Sequence, residues 1–225
     1  MEGTVVFRHI AHIRTDFKEK FGIPRQSGRV GALGRIVFLP EFRNPDALRE
    51  IEGFSHLWLL FDFSLAHREG FTPTVRPPRL GGNRHVGVFA SRSPFRPNPV
   101  GLSSVELVAV EQSADGPVLI VSGVDLLDGT PIFDIKPYLP TADAHPEARG
   151  GYADEVSSYR LNVTLAEGVH IPAPLADTLL ACLADDPRPS YQEDAERVYH
   201  MTYAHVEVSF KVEGTTLTVT ECRER

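Results

Sequence analysis

The chain carries only two cysteines, Cys182 and Cys222, and neither belongs to a CxxC pair. That argues against a secreted disulfide framework or a structural zinc site and predicts two idle thiols in a reducing compartment. Long apolar runs are missing. The longest, Leu57–Phe61 (LWLLF), is far too short to cross a bilayer. The N-terminus (MEGTVVFRHIAHIRTDF) has charges every few residues and no signal-peptide core. Together these absences predict a cytoplasmic protein. A basic surplus is missing too: the net charge of −7 is the reverse of the footprint that nucleic acid usually selects. There is no P-loop, HExxH or GxSxG motif. The glycine-rich run Gly28–Gly34 (GRVGALG) lacks the strand-to-helix context of a dinucleotide fold. His9 and His12 have the one spacing near that of a metal pair, and a strand there puts them on opposite faces.

What is present is uneven. With 225 residues, 42% hydrophobic and 24% charged, the chain suits one large domain or one plus a small one. Between Gly70 and Val105 there is no Asp or Glu, while Arg76, Arg79, Arg84, Arg92, Arg96 and His85 all fall there. The acids gather elsewhere, notably in Leu183–Glu196. An acidic protein with one local anion-binding face is the functional reading. Pairing of these arginines with acids from other segments is the structural one.

The first 160 residues read mostly as strands. Thr4–Ile13, Gly34–Leu39, Phe54–Ser64, His85–Ala90, Gly101–Gln112, Val118–Leu127 and Pro131–Leu139 are rich in β-branched and aromatic residues or alternate apolar with polar. One helix is predicted over Asn44–Phe54, with Asn44 as cap, Pro45 at the first position and Gly53 as stop. Many strands and short connections predict a closed or nearly closed β-barrel over residues 1–150. Pro140–Gly151 reads as a linker or exposed loop. From about residue 155 to 225 the pattern becomes a small α+β domain: a strand at Tyr159–Leu165, a helix at Pro172–Pro187, and strands turning at Glu213-Gly214.

Four loops are unusual in composition. They are Lys18–Gly28 (KEKFGIPRQSG), Thr74–Asn83 (TVRPPRLGGN), Arg92–Ser103 (RSPFRPNPVGLS) and Asp125–Pro140 (DLLDGTPIFDIKPYLP). Singly, each is an ordinary turn. Jointly, they place Arg, Asn, Gln and Asp on stiff loops, where ligand sites tend to lie. Arginine forks suit phosphate or carboxylate, and the aspartates suit a ribose or an amine. Phe95 reads as an anchor into the barrel or as a stacking surface for a base.

These motifs, with GFSHLWLLFDF, GVFASRSPFRPNPVGLS and DPRPSY in the same order, resemble the TsaA/TrmO (YaeB-like) family of tRNA methyltransferases over nearly the whole chain. The resemblance implies a barrel enzyme without a Rossmann fold. It would use S-adenosyl-L-methionine to methylate N6 of threonylcarbamoyladenosine beside the anticodon of a threonine tRNA. It also implies a homodimer with the cofactor site near the subunit interface. Carried onto matching positions, cofactor contacts fall on Pro24, Arg25, Gln26, Arg92, Leu102, Asp125, Leu126, Leu127, Asp128, Gly129 and Thr130. They also fall on Ser64 and Leu65, where relatives carry a His-Gln pair. By residue type, Asp134 and Asp128 are candidate proton acceptors and Asn98 would orient the base edge. Arg92 and Arg96 would hold the cofactor carboxylate or the RNA backbone. The RNA face would hold Arg76, Arg79, Arg84 and Arg96. Three alternatives stay open at this point: a cofactor-binding regulatory module without catalysis, a methyltransferase for another substrate, and a purely structural barrel.

Overall fold

The structure is a computed structural model that describes residues 3, 5–77, 84–189 and 194–225, with only the backbone of Val156. Six strands build its first half: β1 Ala11–Thr15, β2 Leu33–Phe38, β3 His56–Asp62, β6 Val100–Ser113, β7 Gly116–Ser122 and β8 Pro131–Pro137. They close into a barrel in the order β1-β2-β7-β6-β3-β8. A two-residue ladder, β4 Thr74–Val75 with β5 Val86–Gly87, stands beside it. The predicted mainly-β barrel is therefore what forms.

Alternation explains the closure. Along β3, Leu57, Leu59 and Phe61 point inward while His56, Trp58 and Leu60 point outward. On β6 the inward set begins Gly101, Ser103 and Val105. Gly101 is needed there, because a Cβ would lie 2.2 Å from the Phe61 ring.

The second half is a four-stranded sheet in the order β10-β11-β12-β9. Its strands are β9 Asn162–Leu165, β10 Tyr199–Tyr203, β11 Val206–Glu213 and β12 Thr216–Glu224, with β9 parallel to β12. Helix α2, Ala173–Ala184, buries Leu179, Cys182 and Leu183. The two sheets share one hydrophobic cluster. The segment between β1 and β2 joins them: Phe17 meets Tyr203 edge-on at 5.4 Å, and Phe21 stacks on Phe210 at 6.4 Å. Gly22, at φ +95°, sits so close that a Cβ would lie 2.5 Å from the Met201 sulfur.

Four expectations are corrected. The first strand starts at Ala11, so residues 5–10 of the predicted Thr4–Ile13 precede it and Thr4 lies outside the described residues; its partner β2 ends at Phe38 just before Pro40 opens a 3₁₀ turn. Val5, Val6 and Phe7 are left exposed. With His9 ahead of the strand, its ring lies 5.1 Å from that of His12 rather than on the opposite face. The predicted helix over Asn44–Phe54 is two 3₁₀ turns, Pro45–Leu48 and Ile51–Gly53. Asn44 does cap the first, accepting from Asp46 N, but left-handed Glu50 (φ +68°) interrupts the ladder. The strand predicted to Leu127 ends at Ser122, where the Gly123 and Val124 amides both turn to Ala32 O. That early ending frees residues 123–130 to form a loop at the barrel rim.

Pro140–Gly151 is exposed but tethered. It opens with a short helix, α1 Pro140–Asp143, whose Asp143 carboxylate accepts from Trp58 Nε1 at 3.0 Å. Among the described residues, no helix is long and apolar enough to cross a membrane.

Candidate functional site

The proline loop leading into β6 is rigid for a reason beyond its three proline rings. Ser91 Oγ donates to Val88 O (2.8 Å) and accepts from Ser93 N, and Ser93 Oγ accepts from Phe95 N. Arg96 Nη1 donates to Ser91 O at 3.0 Å, and Val100 N to Asn98 O at 2.7 Å. The loop thus satisfies its own backbone, as an ordered turn must. Its far end is pinned to the exit of β3, where Phe63 N donates to Pro99 O at 2.9 Å.

Arg92 points away from this self-contained mesh. Its Nη1 donates to Gln26 Oε1 at 2.7 Å. Beside them lies half-buried Asp125, whose carboxylate accepts from Ser103 Oγ at 2.6 Å. Burial pushes the Asp125 carboxyl above its ordinary range. Hydrogen bonds from Ser103 and from the Asp125 and Ser27 amides, together with the Arg92 charge, offset this only in part. A guanidinium, an amide and a reluctant carboxylate from three distant segments therefore meet at one rim of the barrel.

The other predicted residues divide into neighbouring groups. The Asp125–Thr130 loop is folded onto β1 by Asp128 N to Phe17 O and Gly129 N to Ile13 O, while Thr130 Oγ1 donates to Leu127 O. Leu126 is buried and Leu127 half-buried. Asp128 accepts from Thr15 N and Lys18 Nζ, both at 3.0 Å. Burial alone would raise its carboxyl, but those hydrogen bonds and the Lys18 and Arg14 charges outweigh it, so it lies below its ordinary range. Asp134 pairs with Lys136 at 2.7 Å on the outer face. There Leu102, Leu60 and Asp134 line up across three strands. Ser64 and Leu65 are exposed where the chain leaves β3. Asn98 is exposed, and Pro24 is buried.

Two predicted arginines are engaged elsewhere. Arg96 braces its own loop, and Arg25 reaches into the C-terminal half, where its Nη2 donates to Arg188 O at 2.7 Å. Of the predicted RNA face, Arg76 Nε donates to His85 Nε2 at 3.0 Å, and Arg84 pairs with Glu155 at 3.0 Å. Arg79 lies outside the described residues. Phe95 is neither a buried anchor nor a free face: it is 40% exposed, with the Arg68 guanidinium 3.7 Å over its ring.

Ser27 and Ser103 were not foreseen. A signal for Ser103 existed: it is the polar residue in the inward-pointing set of β6. For Ser27 there was none, since a backbone amide makes the contact.

The described residues form a closed barrel with this polar rim and no dinucleotide fold, which puts the molecule among barrel proteins outside the Rossmann class. Comparison with known proteins is more specific. The model described as the tRNA-methyltransferase O N-terminal domain matches residues 12–144, and that of the TrmO C-terminal domain matches 160–225. The chain belongs to the tRNA-methyltransferase O family and is a methyltransferase. It is 44% identical over 199 residues to the tRNA (adenine(37)-N6)-methyltransferase of Escherichia coli K12, covering 84% of this chain and 85% of that one. It is 46% identical over 193 residues, 82% of each chain, to a Pseudomonas aeruginosa protein named, provisionally, as an S-adenosylmethionine-dependent methyltransferase. The crystal structure of TrmO from Pseudomonas aeruginosa superposes with a TM-score of 0.78 at 34% identity, covering 98% of this chain and 99% of that one.

Proposed function

We propose that this chain transfers a methyl group from S-adenosyl-L-methionine to N6 of adenosine 37 in tRNA. The nucleoside would be threonylcarbamoyladenosine beside the anticodon of a threonine tRNA. The reading extends to a cytoplasmic homodimer with the cofactor near the subunit interface. Residues 1–150 would form the cofactor and catalytic domain, and 155–225 a small α+β domain. The observation that carries it is the Gln26–Arg92–Asp125 constellation on the rim of a barrel matched by the family model.

The residues present fit this cofactor. Arg92 offers a fork for the methionine carboxylate, while Asp125 offers a carboxylate for an ammonium or ribose hydroxyls. Half-exposed Leu102 offers an apolar surface. When bound, the cofactor supplies an electrophilic methyl on a sulfonium. The protein's task would be alignment: Arg92, Asp125 and Leu102 would hold the cofactor with its methyl facing N6, and an acceptor side chain would take the N6 proton. Asp134 and Asp128 are the candidate acceptors; each is paired with a lysine, Asp134 with Lys136 at 2.7 Å and Asp128 with Lys18 at 3.0 Å, and Asp134 shares the outer face with half-exposed Leu102. Asn98, exposed on the stiff loop, would orient the base edge.

The RNA face is assigned to the acid-free stretch. Among the described residues, Arg76 hydrogen-bonds His85 and Arg92 hydrogen-bonds Gln26, and neither forms a salt bridge with a carboxylate. Phe71 and Phe89, 49% and 74% exposed with ring centroids 6.4 Å apart, present a stacking surface for a loop nucleotide. An enzyme with so few phosphate contacts should show a shallow salt dependence.

The deciding experiment incubates the protein with cofactor and threonine tRNA, with and without prior threonylcarbamoylation, and reads nucleosides by mass spectrometry. Methylated threonylcarbamoyladenosine is the expected product. Methylation of plain adenosine 37 would overturn the substrate assignment, and cofactor binding without any methylated nucleoside would favour a regulatory module.

A further inference from the structure

The segment Pro24–Arg29 is held from two sides. Toward the barrel, Gly28 N donates to Gly123 O at 2.9 Å, the Ser27 amide reaches Asp125, and Gln26 takes Arg92. Toward the C-terminal half, the two arginines of the segment are engaged. Arg29 Nε donates to Asp185 Oδ1 at 2.5 Å, and its own carbonyl accepts from Arg160 at 2.9 Å. Arg25 Nη2 donates to Arg188 O at 2.7 Å and reaches Asp186 O at 3.5 Å.

The receiving end is a built clamp. After α2 the chain turns at Asp186, which is left-handed at φ +52°. The Arg188 fork closes on the Asp186 carboxylate at 2.9 and 3.1 Å, Arg188 N adds 3.2 Å, and Tyr159 OH donates at 3.0 Å. Asp185, Asp186 and Arg188 are all buried. A buried ion pair is weak evidence of net stability, but breaking it by removing one charge is costly, so this pair holds its turn in one geometry. The geometry it specifies aims the Asp186 and Arg188 carbonyls at Arg25, the residue before Gln26.

We propose that the C-terminal half is a positioning element of the cofactor site: the Asp186–Arg188 clamp fixes Arg25 and thereby sets Gln26 against Arg92. Asp186, Arg188 and Tyr159 are positioning residues that act through Arg25. This gives the DPR of the DPRPSY motif a task. The inference rests on reading the Gln26–Arg92–Asp125 cluster as the cofactor site.

The test uses the full chain and calorimetric titration with S-adenosylmethionine. Asp186→Asn keeps the side-chain shape and tolerates the left-handed turn, but removes the charge that closes the fork. It should weaken cofactor binding about tenfold, the order set by one charge-assisted hydrogen bond. The KM for cofactor should rise with it, while kcat at saturation and the KM for tRNA stay put. Tyr159→Phe, which removes one bond to the same carboxylate, should shift the same constant about two- to threefold. It carries the test alone if Asp186→Asn does not fold. Unchanged cofactor affinity in folded variants whose melting temperature has dropped would make the clamp structural and overturn the inference. So would a change confined to the tRNA KM. Arg92→Ala, measured alongside, separates the two levels. If it weakens binding and the clamp variants do not, only the clamp inference fails. If Arg92→Ala also leaves binding unchanged, the site reading fails and the clamp inference falls with it.

Discussion

Arg92 and Gln26, sixty-six residues apart in sequence, share a 2.7 Å hydrogen bond at the barrel rim. Each is exposed, so neither is held there by packing. Their meeting is imposed by the loops that carry them, one stiffened by prolines and serines, the other strapped between the two halves of the molecule. Arg92→Ala should therefore weaken S-adenosylmethionine binding by about ten- to a hundredfold with little change in melting temperature. Gln26→Ala should cost less. The double variant should fall short of the sum by about 1 kcal/mol, because the pair acts as a unit. Strict additivity in calorimetry would mean that the two side chains contact the cofactor independently or not at all.

Asp125 makes the site sensitive to pH. Burial raises its carboxyl above the ordinary 3.8. The folded state therefore favours the protonated form. This contribution to stability is full below 3.8 and is lost as pH rises through the raised value. Binding runs the other way if the carboxylate receives an ammonium or ribose hydroxyl: affinity should strengthen as pH climbs past that value. Asp125→Asn, still able to accept from Ser103, should bind weakly and show no such rise. A wild-type affinity flat from pH 4 upward would remove Asp125 from the cofactor contacts.

The barrel was legible because its signal is local. β3 and β6 alternate cleanly, and their periods survive in the structure as inward and outward sets. The first strand was misplaced because its limit lies in another segment, at Pro40 beyond its partner. The helix over Asn44–Phe54 failed because a left-handed Glu50 is invisible to a capping argument. In the site, residue types were readable and directions were not. Arg25, Arg92 and Arg96 are alike in sequence, yet one faces the C-terminal half, one Gln26 and one its own loop. Each direction depends on acceptors distant in sequence or on carbonyls, which leave no trace in side-chain pattern.

Cys182 offers a probe of the junction. Burial, aided by the Asp185 carboxylate, pushes its thiol up to about 12. It should remain protonated and resist iodoacetamide at pH 8, labelling only when the protein unfolds. In Asp186→Asn, loosening of the adjacent turn should make labelling faster than in the wild type. Rapid labelling of native wild-type protein at Cys182, located by peptide mapping, would contradict a closed junction.

Phe89 tests the RNA face without touching charge. Its ring is 74% exposed on the 3₁₀ turn Val88–Ala90, which Tyr152 OH steadies through Ala90 O at 3.0 Å. A small cofactor is usually enclosed in a cleft, whereas a ring this open suits a base splayed from an RNA loop. Phe89→Ala should raise the tRNA Kd by about tenfold, within the range for losing one stacked base. The slope of log Kd against log salt should not change, since no phosphate contact is lost. Arg76→Ala should do the reverse, with a modest loss of affinity and a shallower slope. Phe89→Trp should restore binding, because any aromatic face serves. Equal loss of cofactor affinity in Phe89→Ala would assign the ring to the cofactor adenine. A shift in oligomeric state would assign it to the subunit interface, and either result would end the stacking assignment.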